Sequence, residues 1–169
     1  MLRRGLHTRG RSLRNALILV PLFGIALVIF IFLKKKTSLN KSIEVYNLLL
    51  AAGLSKILSG FAVAQACHET AGFTSNIFIS NNNCFGMKYA GQINAQGEKN
   101  GYANYQSINN SVKDFVAWYT KHRNSIFSLP LYISSISSYV RFLKNNSYFT
   151  APESEYLKGV TYFYNQIFG

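Results

Sequence analysis

Acidic residues, cysteine and proline are all scarce in this chain. Its 169 residues include six Asp and Glu together, two Cys and three Pro. Two cysteines exclude a disulfide-dense secreted scaffold and any four-cysteine zinc site. Charged residues make up 14% of the chain and hydrophobic residues 49%, which excludes a highly charged disordered protein and leaves enough apolar mass for a core.

The positive charge is concentrated at one end of the chain. The formal net charge is +12, and residues 1–36 hold eight Lys and Arg without any acid. Residues 37–169 hold ten Lys and Arg against six acids, a net charge of only +4. Because these N-terminal charges flank a hydrophobic stretch, they suit anionic lipid head groups better than nucleic acid, and we expect no nucleic-acid partner.

That hydrophobic stretch, residues 16–33, contains 18 residues without a charge. A helix of this length spans about 27 Å, close to the thickness of a bilayer core. The stretch ends at Lys34–Lys36 and not at a small-residue cleavage site, which favours an uncleaved anchor over a signal peptide or a buried core helix. We therefore predict a basic tail over 1–15, a transmembrane helix over 16–33, a linker over 34–42 and a domain over 43–169. Five Arg before the span and four Lys after it leave its orientation open.

The domain reads as mainly helical, because apolar residues recur in it at helical spacing. Between its second and third helices, residues 74–104 are rich in Asn, Gly and Ser, and we expect loops with at most a small β-hairpin there. The five helices are predicted over residues 43–52, from an N-cap at Ser55 to Ala71–Gly72, over 111–122, from an N-cap at Ser128 with Pro130 in the first turn, and over 154–168.

The candidate chemistry centres on Glu69, at the end of the second helix. A His-Glu pair suggests a zinc protease, but that motif needs a second His one turn later, where Gly72 stands. Cys67 and His68 are helix neighbours whose side chains diverge, so a thiol protease is excluded, and we expect neither metal nor cofactor. A carboxyl group against apolar residues can keep its proton and act as a general acid, although on this pattern alone a solvated helix-end Glu is the better interpretation.

Five segments together favour the general-acid interpretation of Glu69 over a solvated helix-end Glu. They are Gln65-Ala66-Cys67-His68-Glu69-Thr70, Asn82-Asn83-Cys84-Phe85-Gly86-Met87-Lys88, Tyr102-Ala103-Asn104-Tyr105-Gln106-Ser107, Ser111-Val112-Lys113-Asp114-Phe115, and Tyr148-Phe149-Thr150-Ala151-Pro152 followed by Tyr156. In this order and spacing they resemble the bacterial endo-β-N-acetylglucosaminidases of glycoside hydrolase family 73. The resemblance covers about residues 43–165. It implies a small lysozyme-like α domain with a reduced loop and β lobe, and cleavage of peptidoglycan glycan strands.

The resemblance also assigns the site residues. Glu69 matches the catalytic acid, and Tyr148 matches a tyrosine that the family places near it. Glu98 is the only acid in the short β lobe and is the candidate second carboxylate. The substrate-binding set is Asn83, Phe85 and Gly86 on the floor of the cleft, with Tyr105, which like Asp114 also matches a position of structural character.

Several alternatives stay open. The family's Gly-Trp-Gly after the Glu is replaced by Ala71-Gly72-Phe73, and the Asp of its YATDP element is Ala151. The altered Ala71 and Ala151 positions keep a non-catalytic wall-binding protein as an alternative. A muramidase, lytic transglycosylase or chitinase-like enzyme is another.

We expect a single-pass membrane protein whose domain faces the cell wall, in a bacterial membrane or in the virion membrane of a lipid-containing bacteriophage, where membrane or capsid proteins would be partners. Cys67 and Cys84 are expected to face one core, either as a disulfide or as two free thiols, and the family's apolar residues at both positions favour thiols.

Overall fold

The computed structural model describes residues 10–123 and 133–169, with side chains from residue 24 onward. Contacts divide the chain between Thr37 and Ser38 into two compact units. The elements of the described residues are α1 (Gly10–Ala51), α2 (Lys56–Glu69), α3 (Asn76–Asn81), β1 (Ala95–Lys99), β2 (Tyr102–Tyr105), α4 (Ile108–Arg123), α5 (Ile136–Asn145) and α6 (Glu153–Phe168). The predicted mainly helical domain with one small hairpin is confirmed.

Helix α1 continues through residues 34–42, where the sequence predicted a linker. The polar side chains of this stretch do not interrupt the helix, because they bond within it: Thr37 Oγ1 donates to the Leu33 carbonyl at 3.0 Å and Ser42 Oγ to the Ser38 carbonyl at 2.9 Å. No helix among the described residues is long and apolar enough to cross a membrane. Residues 16–23 of the predicted span lie outside the residues whose side chains are described, so the anchor stays a prediction.

Helix α2 runs through the middle of the domain. Its predicted N-cap is confirmed, since Ser55 Oγ accepts from the Leu58 amide at 3.4 Å, and every residue from Ser59 to Cys67 is buried. The helix packs on α6, and the rings of Tyr164 and Phe168 lie next to Gly60. The core of the domain is thus built around one small-residue helix.

The end of α2 comes at Glu69, two residues before the predicted Ala71–Gly72. The Thr70 hydroxyl donates to the Ala66 carbonyl at 2.6 Å and accepts from the Phe73 amide at 2.9 Å. Ala71, Gly72 and Phe73 then all have positive φ values, of 50°, 68° and 66°, which no helix can continue. This reversal leaves Glu69 as the last helical residue, facing the polar lobe.

The polar lobe of residues 74–104 contains the hairpin and one element that the sequence analysis missed. Strands β1 and β2 are antiparallel, with a bulge between Ala95 and Gly97. The missed element is α3, which is only six residues long and is capped by Ser75, whose Oγ accepts from the Phe78 amide at 3.2 Å. Such a short helix carries too few apolar residues to show a helical period.

The last three helices carry the predicted apolar stripes with shifted starts. Helix α4 begins at Ile108, three residues before the prediction, and α6 over Glu153–Phe168 confirms its predicted range within one residue. The predicted fourth-helix N-cap, Ser128 with Pro130, lies outside the described residues. Within them the helix begins at Ile136, where Ser135 and Ser138 form a capping box that stops it from extending back to Ile133.

Candidate active site

The Glu69 carboxyl group is partly buried at the junction of α2, α6 and the loop that follows α3. Burial raises the pKa of this carboxyl, and a hydrogen bond from the Tyr156 hydroxyl opposes that rise. A carboxyl with a raised pKa holds its proton to higher pH, as a general acid must. The carboxyl is therefore chemically suited to donate a proton to a leaving group.

The loop facing Glu69 is organised by Asn83, which is completely buried. Its Nδ2 donates to the carbonyls of Met87 and Ala103 at 2.9 and 3.0 Å, and its Oδ1 accepts from the amides of Phe85 and Met87 at 3.3 and 3.1 Å. One side chain thus ties the loop to the hairpin. Asn83 was predicted to bind substrate, but all four of these bonds are internal to the protein.

Gly86 is the loop residue that lies beside the Glu69 carboxyl oxygen Oε2. It has a φ of +62°, and a Cβ built there would lie 2.9 Å from Glu69 Oε2. The position thus requires glycine twice, for its backbone conformation and for the space. Gly86 belongs to the predicted substrate-binding set, and the structure places it beside the Glu69 carboxyl group.

Phe85 and Tyr105, also predicted to bind substrate, are core residues in the structure. Phe85 is fully buried and stacks on Phe115 at 3.9 Å between ring centroids. Tyr105 is 1% exposed, and its hydroxyl donates to Met87 Sδ at 3.8 Å. Their contacts hold the loop and hairpin in place, so the geometry gives them a supporting position.

Tyr148 lies close to Glu69 but donates its proton elsewhere. Its hydroxyl donates to the Phe85 carbonyl at 2.6 Å, and its ring lies 4.6 Å from that of Trp118. Burial raises the pKa of Tyr148, and the negative charge of Glu69 raises it further, which puts the two groups in electrostatic reach. Tyr148 is therefore a neutral phenol beside the acid.

Tyr156 is the residue that directly contacts the Glu69 side chain. Its hydroxyl donates to Glu69 Oε1 at 2.5 Å, across 87 residues of sequence. Sequence reasoning quoted Tyr156 as part of a motif but assigned it no role. The sequence shows only that Tyr156 lies on α6, one turn before Gly159 and Val160. The contact itself depends on how α6 packs on α2, which the sequence does not show.

Glu98 in the lobe and Asp114 on α4 are the remaining acids that the sequence analysis singled out. Glu98 is exposed on β1, paired across the hairpin with Ala103. Asp114 is 3% exposed, and it accepts from Asn94 Nδ2 at 2.6 Å, which fastens the start of the hairpin to α4. The structural position expected of Asp114 agrees with this contact. Among the described residues, no group of three or more His, Cys, Asp and Glu could hold a metal ion.

A family model described as mannosyl-glycoprotein endo-beta-N-acetylglucosaminidase matches residues 45–167. The match begins within the last turns of α1 and ends one residue before the end of α6, so it includes every site residue described above. No curated protein and no solved structure matches the chain significantly.

Proposed function

Because the chain belongs to the mannosyl-glycoprotein endo-beta-N-acetylglucosaminidase family, we propose that it cleaves the β-1,4 glycan strand of peptidoglycan, as an N-acetylglucosaminidase. Membership of this glucosaminidase family supports a peptidoglycan hydrolase of the glycoside hydrolase family 73 type. The observation that carries the proposal is the Glu69 carboxyl, whose burial raises its pKa at the junction of three elements.

In the proposed reaction Glu69 protonates the glycosidic oxygen as the bond to the anomeric carbon breaks. Its Oε2 lies beside Gly86, and in the proposal the glycosidic oxygen approaches Glu69 at this oxygen. The leaving sugar departs with this proton on its hydroxyl group, and Glu69 becomes a carboxylate. General acid catalysis of this kind commonly contributes about 10²–10⁴-fold to a rate.

The anomeric carbon must gain a nucleophile as the leaving sugar departs, and two groups are candidates for supplying it. Glu98 is exposed on the hairpin and would activate a water as a general base. The substrate's own N-acetyl group, with Tyr148 beside it, would otherwise attack the anomeric carbon first. The variants Glu98→Gln and Tyr148→Phe separate these two mechanisms. If only Glu98→Gln loses as much cleavage rate as Glu69→Gln, Glu98 is the general base. If only Tyr148→Phe loses that much, substrate assistance is favoured.

Purified sacculi digested by the full-length protein test the proposal. We expect turbidity to fall and mass spectrometry to find fragments with new N-acetylglucosamine reducing ends. N-acetylmuramic acid reducing ends would indicate a muramidase, and 1,6-anhydro ends, lighter by one water, a transglycosylase. Binding to sacculi without any release would support the non-catalytic wall-binding alternative, which the altered positions Ala71 and Ala151 suggest.

We further propose that residues 16–33 anchor the protein in a membrane, with the domain facing the wall, in a bacterium or in a lipid-containing phage particle. The support is the uncharged stretch of 18 residues between basic flanks. The full-length protein should sediment with membranes at high salt and be released by detergent. Replacing Leu27 and Ile29 with Lys should move it to the soluble fraction, and full recovery of the unaltered protein without detergent would contradict the anchor.

A further inference from the structure

The two oxygens of the Glu69 carboxyl group have different surroundings. Oε1 accepts the hydrogen bond of Tyr156 at 2.5 Å. Oε2 is the atom that a Cβ at Gly86 would approach to 2.9 Å, so it faces the part of the loop that has no side chain. One oxygen is therefore hydrogen-bonded to Tyr156 and the other lies against Gly86.

The Tyr156 ring is fixed from two sides. Phe149 stacks on it in parallel, with centroids 3.7 Å apart and planes at 2°, and His68 meets it edge-on at 4.8 Å and 89°. The His68 ring lies against the Cα of Gly159, since a Cβ there would lie 2.2 Å from the imidazole. Tyr156 is 5% exposed, so its hydroxyl has little freedom to leave Glu69.

Tyr148, the tyrosine that the family resemblance assigns to the acid, is engaged in a different network. Its proton goes to the Phe85 carbonyl, and behind it the fully buried Gln65 accepts a hydrogen bond from Tyr139 through Oε1. Tyr148 is thus engaged with the loop carbonyl of Phe85 and with the ring of Trp118, and its proton does not go to Glu69.

We propose that Tyr156, and not Tyr148, positions Glu69 for acid catalysis: it holds Oε1 and thereby confines the transferable proton to Oε2, on the Gly86 side. Tyr156 has this role only if Glu69 is the general acid of the proposed function. A phenol that donates to Oε1 favours the carboxyl form whose own proton is on the other oxygen. The proton then lies where the leaving oxygen would arrive.

A pH consequence follows from the same contact. The titratable groups around Glu69 are His68 beside it on α2, Tyr139 on α5, Tyr148 before α6 and Tyr156 on α6. Partial burial lowers the pKa of His68, and burial raises the pKa of each tyrosine, so all four are neutral near pH 7. Because the Tyr156 bond lowers the pKa of Glu69, removing it should raise that pKa, and the alkaline limb of activity should move to higher pH.

The test is a titration of Glu69 by ¹³C NMR in the full-length protein labelled at the glutamate side chains. The chain has five Glu, and Glu69→Gln identifies the Glu69 signal. In Tyr156→Phe we expect the Glu69 titration to move to higher pH, kcat on sacculi to fall about tenfold with KM within about twofold, and the alkaline limb to follow the titration.

Three further variants complete the test. Tyr162→Phe, an exposed position on the same helix, should leave the titration and the activity unchanged. Phe149→Leu loosens the Tyr156 ring but keeps its hydroxyl, so it should move the Glu69 titration in the same direction as Tyr156→Phe, by a smaller amount. If Tyr156→Phe does not fold, the Phe149→Leu titration tests the role of Tyr156. Tyr148→Phe should move it less than Tyr156→Phe.

An unmoved Glu69 titration in folded Tyr156→Phe, or a larger movement in Tyr148→Phe, would overturn the role of Tyr156. Failure of the proposed function would look different, because the unaltered protein would then release no fragments from sacculi. The NMR titration needs no substrate, so the two failures are separable.

Discussion

Gly86 lies so close to Glu69 that a β-carbon at position 86 would be 2.9 Å from Glu69 Oε2. This relationship joins the loop after α3 to the end of α2 and places the loop backbone directly beside one carboxyl oxygen. It explains why the sequence places a glycine in the middle of an otherwise buried loop.

Gly86→Ala should abolish most of the glycan cleavage. The methyl group would displace Glu69 or block the sugar, in addition to a cost of about 1–2 kcal/mol for a left-handed alanine. Gly91→Ala is the matched control, since Gly91 also has a positive φ, of +75°, but nothing lies within 4 Å of its Cβ position. Both variants should lose similar stability in thermal melts, and only Gly86→Ala should lose activity; equal activity in the two variants would show that the contact is unimportant.

Gly159→Ala should disturb the site from a distance. A Cβ there would lie 2.2 Å from the His68 ring, which contacts Tyr156, so we expect lower thermal stability and reduced activity. Gly60→Ala on α2 meets only ordinary contacts, at 3.5 Å or more, and should be neutral or slightly stabilising because alanine favours a helix. A Gly159→Ala protein as stable and active as Gly60→Ala would be the contrary result.

Asn83→Ala should destabilise the domain by about 2–4 kcal/mol in denaturant titrations, because it leaves buried amides and carbonyls without partners. Asn109→Ala, at an exposed position on α4, should change the free energy of unfolding by less than about 0.5 kcal/mol. If the two substitutions cost the same, the Asn83 bonds do not hold the loop.

The two cysteines should be unreactive thiols in the folded protein. Both are buried and free, and burial raises the pKa of Cys67 to about 11 and that of Cys84 to about 12. Iodoacetamide at pH 8 should leave the native chain unmodified and add two labels after denaturation without reductant, as read by intact mass. Labels that appear only after reduction would reveal a disulfide instead.

The sequence predicted the helices that have long apolar stripes and predicted the position of Glu69, because both are local patterns. It missed α3, which is too short to show a period, and the start of α5, where Ser135 and Ser138 decide the boundary through a local cap. The Tyr156–Glu69 contact could not be predicted from the sequence for another reason. It joins residues 87 positions apart and depends on the packing of α6 against α2, which no spacing within one segment encodes.

The sequence also did not show whether the side chains of Asn83, Phe85 and Tyr105 are buried or exposed. The motif assigned all three to the substrate-binding set, but the sequence could not show which of their side chains are buried. Asn83 and Phe85 are fully buried and Tyr105 is 1% exposed, so all three support the loop and hairpin. Residue type alone does not distinguish a buried amide that organises a loop from one that binds a sugar.

The central claim, that Glu69 is the general acid, is tested most directly by the rate at which full-length Glu69→Gln releases fragments from purified sacculi. The amide keeps the size and can still accept from Tyr156, but it has no proton to donate, so the rate should fall at least about a hundredfold. Because burial raises the pKa of Glu69, the folded state binds more protons than the unfolded state, and stability falls as pH rises above the ordinary carboxyl pKa. Glu69→Gln should therefore melt at the same or a higher temperature than the unaltered protein at pH 7. A well-folded Glu69→Gln protein that cleaves sacculi at nearly the full rate would contradict the account.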